Sequence, residues 1–124
     1  MSHPTPAELE ILQILWQAGE ASTPDVHEKL SQTNDGGYTR TLKFMQLMHE
    51  KGLLGRRREG KSHVYYPLVK EEDTKGSLLD RFIDATFGGS KSKLVMQLLG
   101  NKKVSKKEIA EIRAYLDSIE RNKK

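Results

Sequence analysis

A mainly α fold with a small β wing is predicted for this 124-residue chain by three observations. Residues 5–51 hold three segments of helical apolar period, and the third runs straight into a basic hairpin signal over residues 54–67. The charge reverses along the same stretch. Between residues 40 and 61, Arg40, Lys43, Lys51, Arg56, Arg57, Arg58 and Lys61 are opposed only by Glu50 and Glu59, a net +5, whereas residues 1–39 hold Lys29 against six carboxylates, a net −5. Three helices followed by a cationic hairpin is the order of a winged helix-turn-helix, and a polarised face of this kind suits a polyanion. The expected organisation is a winged-helix DNA-binding domain over residues 1–70 and a helical dimerisation region over residues 71–124.

The first helix opens at Thr5-Pro6-Ala7-Glu8, where a capping threonine, a proline at the first helical position and a glutamate three residues after the cap coincide. Leu9, Ile11, Leu12, Leu15 and Trp16 build its apolar face, and Gly19 suits its end. Thr23-Pro24-Asp25 starts a second, shorter helix with Val26 and Leu30 on one side. After the turn cluster Asn34-Asp35-Gly36-Gly37, helical period returns over residues 38–51, with Thr41, Phe44, Met45 and Met48 toward the core and Gly52 as the stop. Leu54-Gly55-Arg56-Arg57-Arg58, a turn at Glu59-Gly60-Lys61, and Ser62-His63-Val64-Tyr65-Tyr66-Pro67 then read as two strands about a tight loop.

Residues 69–76 are polar and charged and read as a hinge. Beyond them, Leu78, Leu79, Phe82, Ile83 and Phe87 define an amphipathic helix; Leu94, Val95, Met96, Leu98 and Leu99 a short, nearly all-round apolar one; and Ser105-Lys106-Lys107-Glu108 a second capping box. That box leads into Ile109, Ile112, Leu116 and Ile119, spaced as a packing seam. Three helices with so few aromatics enclose little core, so a second copy of the chain is the expected cover for Leu78, Leu79, Phe82, Ile83, Leu94, Val95, Leu98, Ile112, Leu116 and Ile119.

Composition narrows the chemistry. The formal net charge of +4 permits nucleic acid or an acidic surface as partner. No cysteine is present, so disulfides, thiol nucleophiles and thiolate metal sites are excluded. The N-terminal residues lack the pattern of a signal peptide, and no apolar run approaches the roughly 20 residues that span a bilayer, so membrane insertion is not expected and a cytoplasmic location is. His3, His27, His49 and His63 show no metal-ligand spacing, and no catalytic triad, phosphate-binding glycine loop or carboxylate pair can be assembled. No enzyme activity, metal or cofactor is expected.

The helix over residues 38–51 carries the sharpest functional signal. A major groove about 12 Å wide admits one helix whose far side stays anchored in its domain. With Thr41, Phe44, Met45 and Met48 inward, Thr39, Arg40, Leu42, Lys43 and Gln46 point outward. Arginine pairs with guanine, glutamine with adenine, and leucine touches a thymine methyl. Arg56, Arg58, Lys61 and His63 would form the wing, gripping phosphates. Strand side chains alternate between faces, so all three consecutive arginines cannot reach one backbone.

These segments together resemble the BlaI/MecI-type penicillinase repressors. The match is carried by residues 8–16 (Glu-Leu-Glu-Ile-Leu-Gln-Ile-Leu-Trp), by Tyr38-Thr39 through His49-Glu50-Lys51-Gly52-Leu53, by His63-Val64-Tyr65-Tyr66-Pro67-Leu68, and by Phe87-Gly88-Gly89-Ser90 leading to Leu94-Val95. The resemblance implies a homodimer that sits on a dyad-symmetric double-stranded DNA operator and represses transcription of β-lactamase or other stress-response genes. It also implies a membrane sensor protease that acts indirectly to release the repressor. Three departures stand out. The cysteine-rich C-terminus of the copper-responsive branch is absent. Met96-Gln97-Leu98-Leu99 replaces the cleavable asparagine-phenylalanine pair of antibiotic-responsive relatives, and Arg40-Thr41 stands where threonine-valine is expected. The alternative to repression is a winged-helix protein-interaction module whose basic face meets an acidic protein without sequence-specific DNA binding.

Overall fold

The structure, a computed structural model, describes residues 3–32, 36–100 and 103–123. The turn positions Asn34 and Asp35 named above, residues 101–102 and the last lysine lie outside them. The elements run α1 (Pro6–Ala18), β1 (Ala21–Ser22), α2 (Thr23–Leu30), α3 (Tyr38–Glu50), β2 (Leu54–Glu59), β3 (Ser62–Pro67), α4 (Glu71–Phe87), α5 (Lys91–Gly100) and α6 (Lys106–Asn122). The chain divides into two compact units, residues 1–79 and 80–124, with the boundary inside α4.

In the first unit, both halves of the predicted capping box form: the Glu8 amide donates to Thr5 Oγ1 at 3.2 Å, and the Thr5 amide donates to Glu8 Oε1 at 3.0 Å. Glu8 is nonetheless buried, at 2 % exposure, because its other carboxylate oxygen accepts from Lys51 Nζ at 2.7 Å. One residue thus caps α1 and ties it to the end of α3. Gly19 closes α1 with φ +86°, a backbone angle that side chains disfavour, its amide donating to the Leu15 carbonyl.

The second helix differs from expectation at its start. Ser22, not Thr23, is the cap, its hydroxyl accepting from the Asp25 amide, while Thr23 turns inward and is buried. The reason is β1, a two-residue strand with too little pattern to be seen in the sequence. Ala21 and Ser22 pair with Tyr65 and Val64, extending the predicted hairpin to a three-stranded antiparallel sheet in the order β1-β3-β2. The hairpin register is Leu54↔Pro67 to Glu59↔Ser62, leaving Gly60-Lys61 as the two-residue turn with Gly60 at φ +62°.

The core gathers Ile11, Leu12 and Leu15 of α1, Val26 and Leu30 of α2, Met45 and Met48 of α3, and Leu53, Leu54 and Tyr65 from the hairpin. Phe44 and Trp16 pack against it half-buried. The Trp16 indole N–H donates to the Val69 carbonyl at 3.0 Å, holding the chain that leaves β3. The segment expected to be a hinge is helical from Glu71. Three acidic residues, Glu71, Glu72 and Asp73, occupy the positive end of α4, and Lys75 pairs with Glu71 at 2.6 Å one turn away. These local charges support a turn that has no apolar stripe.

The second unit contains the end of α4 with α5 and α6. The box at Ser105 and Glu108 forms in both directions and starts α6 as predicted. Ile83 is the only buried apolar side chain of this unit among the described residues. No described helix is long and apolar enough to cross a membrane.

Candidate nucleic-acid interface

α3 presents two opposed stripes. Thr41, Met45 and Met48, at spacings of four and three, are buried; Thr39, Lys43 and Gln46, at the same spacings half a turn away, are exposed. The inward stripe is fixed from two sides. Met45 and Met48 enter the core, and Thr41 Oγ1 lies 3.0 Å from His27 Nδ1, bonding α3 to α2. The His27 ring also meets Tyr38 edge-on, with centroids 5.6 Å apart. Orientation of the outer stripe therefore follows from packing on α2.

Between this helix and the hairpin runs a polar groove of about 160 Å³. Tyr38, Leu42 and Gln46, each four residues from the last, form one wall; Lys61, Ser62 and His63 form the other, with Thr23 and Pro24 at the start of α2 closing it. Leu42, Gln46, Lys61 and His63 were singled out in the sequence and are brought together here. Tyr38 and Ser62 were not, although the four-residue spacing Tyr38, Leu42, Gln46 was available as a signal.

Arg40 lies elsewhere. It is exposed on the other flank of α3, its guanidinium carbon 5.2 Å from the Phe44 ring centroid, beside Leu47. Thr39 and Lys43 sit on the crest between the two flanks. On the hairpin, Arg56 faces Tyr65 and Arg58 faces His63 across the strands, so these four share one sheet face. The Arg58 Nε–H donates to the Gly60 carbonyl at 3.1 Å, bending that side chain toward the turn.

Arg57 points to the opposite face and is engaged. Its two terminal nitrogens donate to both carboxylate oxygens of Glu20, at 2.6 and 2.7 Å, and one of them also donates to Glu59 at 2.6 Å. The hydrogen bonds from Arg57 hold the Glu20 carboxyl below its ordinary range, and those that Glu20 and Glu59 accept push the guanidinium further up. Lys51 is likewise taken by Glu8. Among the described residues, Arg40, Lys43, Arg56, Arg58 and Lys61 form no ion pair, so five of the seven cations counted in the basic stretch keep an uncommitted charge.

No group of three or more metal-ligating side chains occurs among the described residues. The residues expected at a dimer interface divide by exposure: Leu79, Phe82, Val95, Leu98 and Leu116 are exposed, Leu78, Leu94, Ile112 and Ile119 half-buried, and Ile83 buried within its own chain. Within the second unit, Ile109, Ile112 and Leu116 of α6 line a shallow apolar groove with Leu99 of α5.

Comparison with known proteins agrees with this architecture. The family profile described as penicillinase repressor matches residues 4–118. The penicillinase repressor of Bacillus licheniformis is 29% identical over 119 residues, covering 95% of this chain and 92% of that one. The methicillin resistance regulatory protein MecI of Mammaliicoccus sciuri is 28% identical over 111 residues, covering 90% of each. Transcriptional regulator BlaI of Mycobacterium tuberculosis is 27% identical over 115 residues, covering 91% of this chain and 82% of its own. Among solved structures, the DNA-binding domain of the repressor BlaI superposes with a TM-score of 0.52 at 28% identity, covering 56% of this chain and 85% of that domain. With nearly its whole length matched and a winged helix at its N-terminal end, this chain belongs to the penicillinase repressor family, whose members are transcriptional repressors and not enzymes.

Proposed function

We propose that this protein is a cytoplasmic, dimeric repressor that binds a dyad-symmetric DNA operator through the outer stripe of α3 and the β2–β3 wing. The observation that carries this reading is the convergence of the α3 wall and the wing turn on one polar groove, flanked by cations that form no ion pair among the described residues. In it, Thr39, Leu42, Lys43 and Gln46 meet base edges in the major groove, while Arg56, Arg58 and Lys61 hold phosphates and His63 supports the wing wall. Arg40 reaches the duplex from its flank on Phe44 and contacts the backbone or a neighbouring base. The nine large hydrophobic side chains left exposed among the described residues of α4, α5 and α6 support a second copy as their cover. Two identical readers related by a two-fold axis then fit two half-sites one or more helical turns apart.

By its kinship with regulators of penicillinase and methicillin resistance, the controlled genes are proposed to be of the β-lactam or a related stress response, with a membrane sensor acting indirectly on the repressor.

A gel-shift salt titration tests the reading, comparing DNA immediately upstream of the protein's own gene with a scrambled duplex of equal length. A preference of about a thousandfold at physiological salt is expected of a specific repressor. Equal and salt-sensitive affinity for both duplexes would reduce the reading to backbone attraction. Absence of binding to either would favour the interaction module whose basic face meets an acidic protein.

A further inference from the structure

The run Arg56-Arg57-Arg58 holds three adjacent guanidinium groups in three different situations. Arg56 and Arg58 share the sheet face that carries Tyr65 and His63, and neither is ion-paired among the described residues. Arg57 points the other way and is held by two carboxylates: a two-pronged bond to Glu20 in the turn before β1, and a further bond from the same guanidinium to Glu59 beside the hairpin turn. The trio sums to one negative charge on the outer face of the wing.

All three side chains are about half exposed, at 44%, 49% and 57%. A pair so placed adds little to stability. Its geometry, however, is the planar fork that guanidinium offers to phosphate, here already filled by Glu20. Strand alternation turns Arg57 away from the backbone that Arg56 and Arg58 would meet. A wing lying in a groove has a strand of the duplex on either side, however, and the carboxylates cancel the charge that Arg57 would offer the second one. Glu20 reaches Arg57 because β1 lies on β3, which places the turn before Ala21 across the sheet from Arg57, Val64 of β3 and Ser22 of β1 being in register between them. The two-residue strand thus brings an acidic residue from position 20 to a basic one at position 57.

Resting on the DNA-binding reading above, we propose that Glu20 and Glu59 are specificity-determining residues that withhold Arg57 from the phosphate backbone, so that sequence-independent binding stays weak while the operator contacts of α3 are untouched. Each additional phosphate neutralised steepens the salt dependence of binding by about 0.9 logarithmic units, and does so equally for every sequence. A wing with all three arginines free would gain affinity for any duplex and lose discrimination. Two carboxylates placed on the middle arginine limit that gain without shortening the basic hairpin.

The test is a four-variant comparison of the full-length chain on a scrambled duplex between 50 and 200 mM salt, with thermal melting by circular dichroism as a check on folding. The variants are wild type, Arg57→Gln, the double substitution Glu20→Gln with Glu59→Gln, and the triple combination. Arg57→Gln alone is expected to leave the salt slope within about 0.3 of wild type. The double variant is expected to steepen it by about 0.9, raising affinity for scrambled DNA at the low-salt end relative to the high-salt end by roughly 3-fold to 4-fold over that range. Adding Arg57→Gln to the double variant returns the slope to the wild-type value. A fall of about 0.9 on Arg57→Gln alone would show that the arginine leaves its carboxylates for phosphate and overturns the proposal. So would a double variant with an unchanged slope. Wild-type protein that binds no duplex at any salt would instead remove the DNA-binding reading on which the proposal rests.

Discussion

Glu8 shows how one side chain can be both a local and a tertiary device. Its carboxylate caps α1 through the Thr5 amide and reaches across 43 positions to Lys51, and burial makes the second bond matter. Lys51→Met leaves the acid with its cap but without its counter-charge. Because the lysine is one-third exposed, water recovers part of the loss, and a destabilisation of about 1 to 3 kcal/mol is expected in urea unfolding. Gly55 makes the opposite case, of a residue required for what it lacks. A Cβ there would collide with the ring of its cross-strand partner Tyr66, so Gly55→Ala is expected to cost about 1 to 3 kcal/mol, and Tyr66→Ser in the same chain should recover most of it. At Glu20 the carboxyl titrates below its ordinary value of 4.5 because Arg57 donates to it. A group depressed in this way holds its ion pair above the ordinary value and loses it as pH falls through the lower one. A carbon-detected NMR titration of Glu20 should therefore show a midpoint below 4.5, moving up on Arg57→Gln.

At the scale of the elements, α3 and the wing divide the work in the proposed interface and should be separable by mutation. Gln46→Ala removes a groove-wall side chain that can bond a base edge, and is expected to cost about 1 to 3 kcal/mol on the operator and to relax preference at one base position. Lys61→Ala should weaken operator and scrambled DNA alike and lower the salt slope by about 1. Identical effects of the two substitutions on both duplexes would contradict the division. Much of this layout is legible in the sequence, for local reasons. The boxes at Thr5 and Ser105 announce their helices because cap and glutamate lie three residues apart, and α3 shows its inward stripe in Thr41, Met45 and Met48. The start of α4 is not legible, since its first turn rests on acidic residues and a single lysine pair around Gly76 without apolar period. Nor is β1, whose two residues are a strand only because Tyr65 and Val64 lie beside them. The charge count overstates the binding face for the same reason: that Lys51 and Arg57 are spoken for depends on partners 43 and 37 positions away.

The whole molecule joins a unit that holds a closed core to one that does not. The first encloses Ile11, Leu12, Leu15, Met45, Met48 and Tyr65 at 1 % exposure or less; the second leaves Leu98, Tyr115 and Leu116 more than half exposed. Leu116→Asp should leave the melting of the first unit's core unchanged and shift sedimentation toward the monomer, because a charge on the α6 face would have to be desolvated in any interface. An unaltered sedimentation profile would assign Leu116 to contacts within one chain. Loss of the proposed dimer would also uncouple its two half-sites and lower operator affinity far more than affinity for scrambled DNA.

The bond from the Trp16 indole to the Val69 carbonyl makes the chain its own optical reporter. Trp16 is the single tryptophan among 124 residues, and it sits where the polypeptide passes from the last strand into α4. Its fluorescence colour and lifetime thus register whether that passage is seated or peeled away. Any signal that loosens the passage, whether peptide cleavage, a bound effector or a duplex pulling on the wing, should redden the emission without a dye being attached.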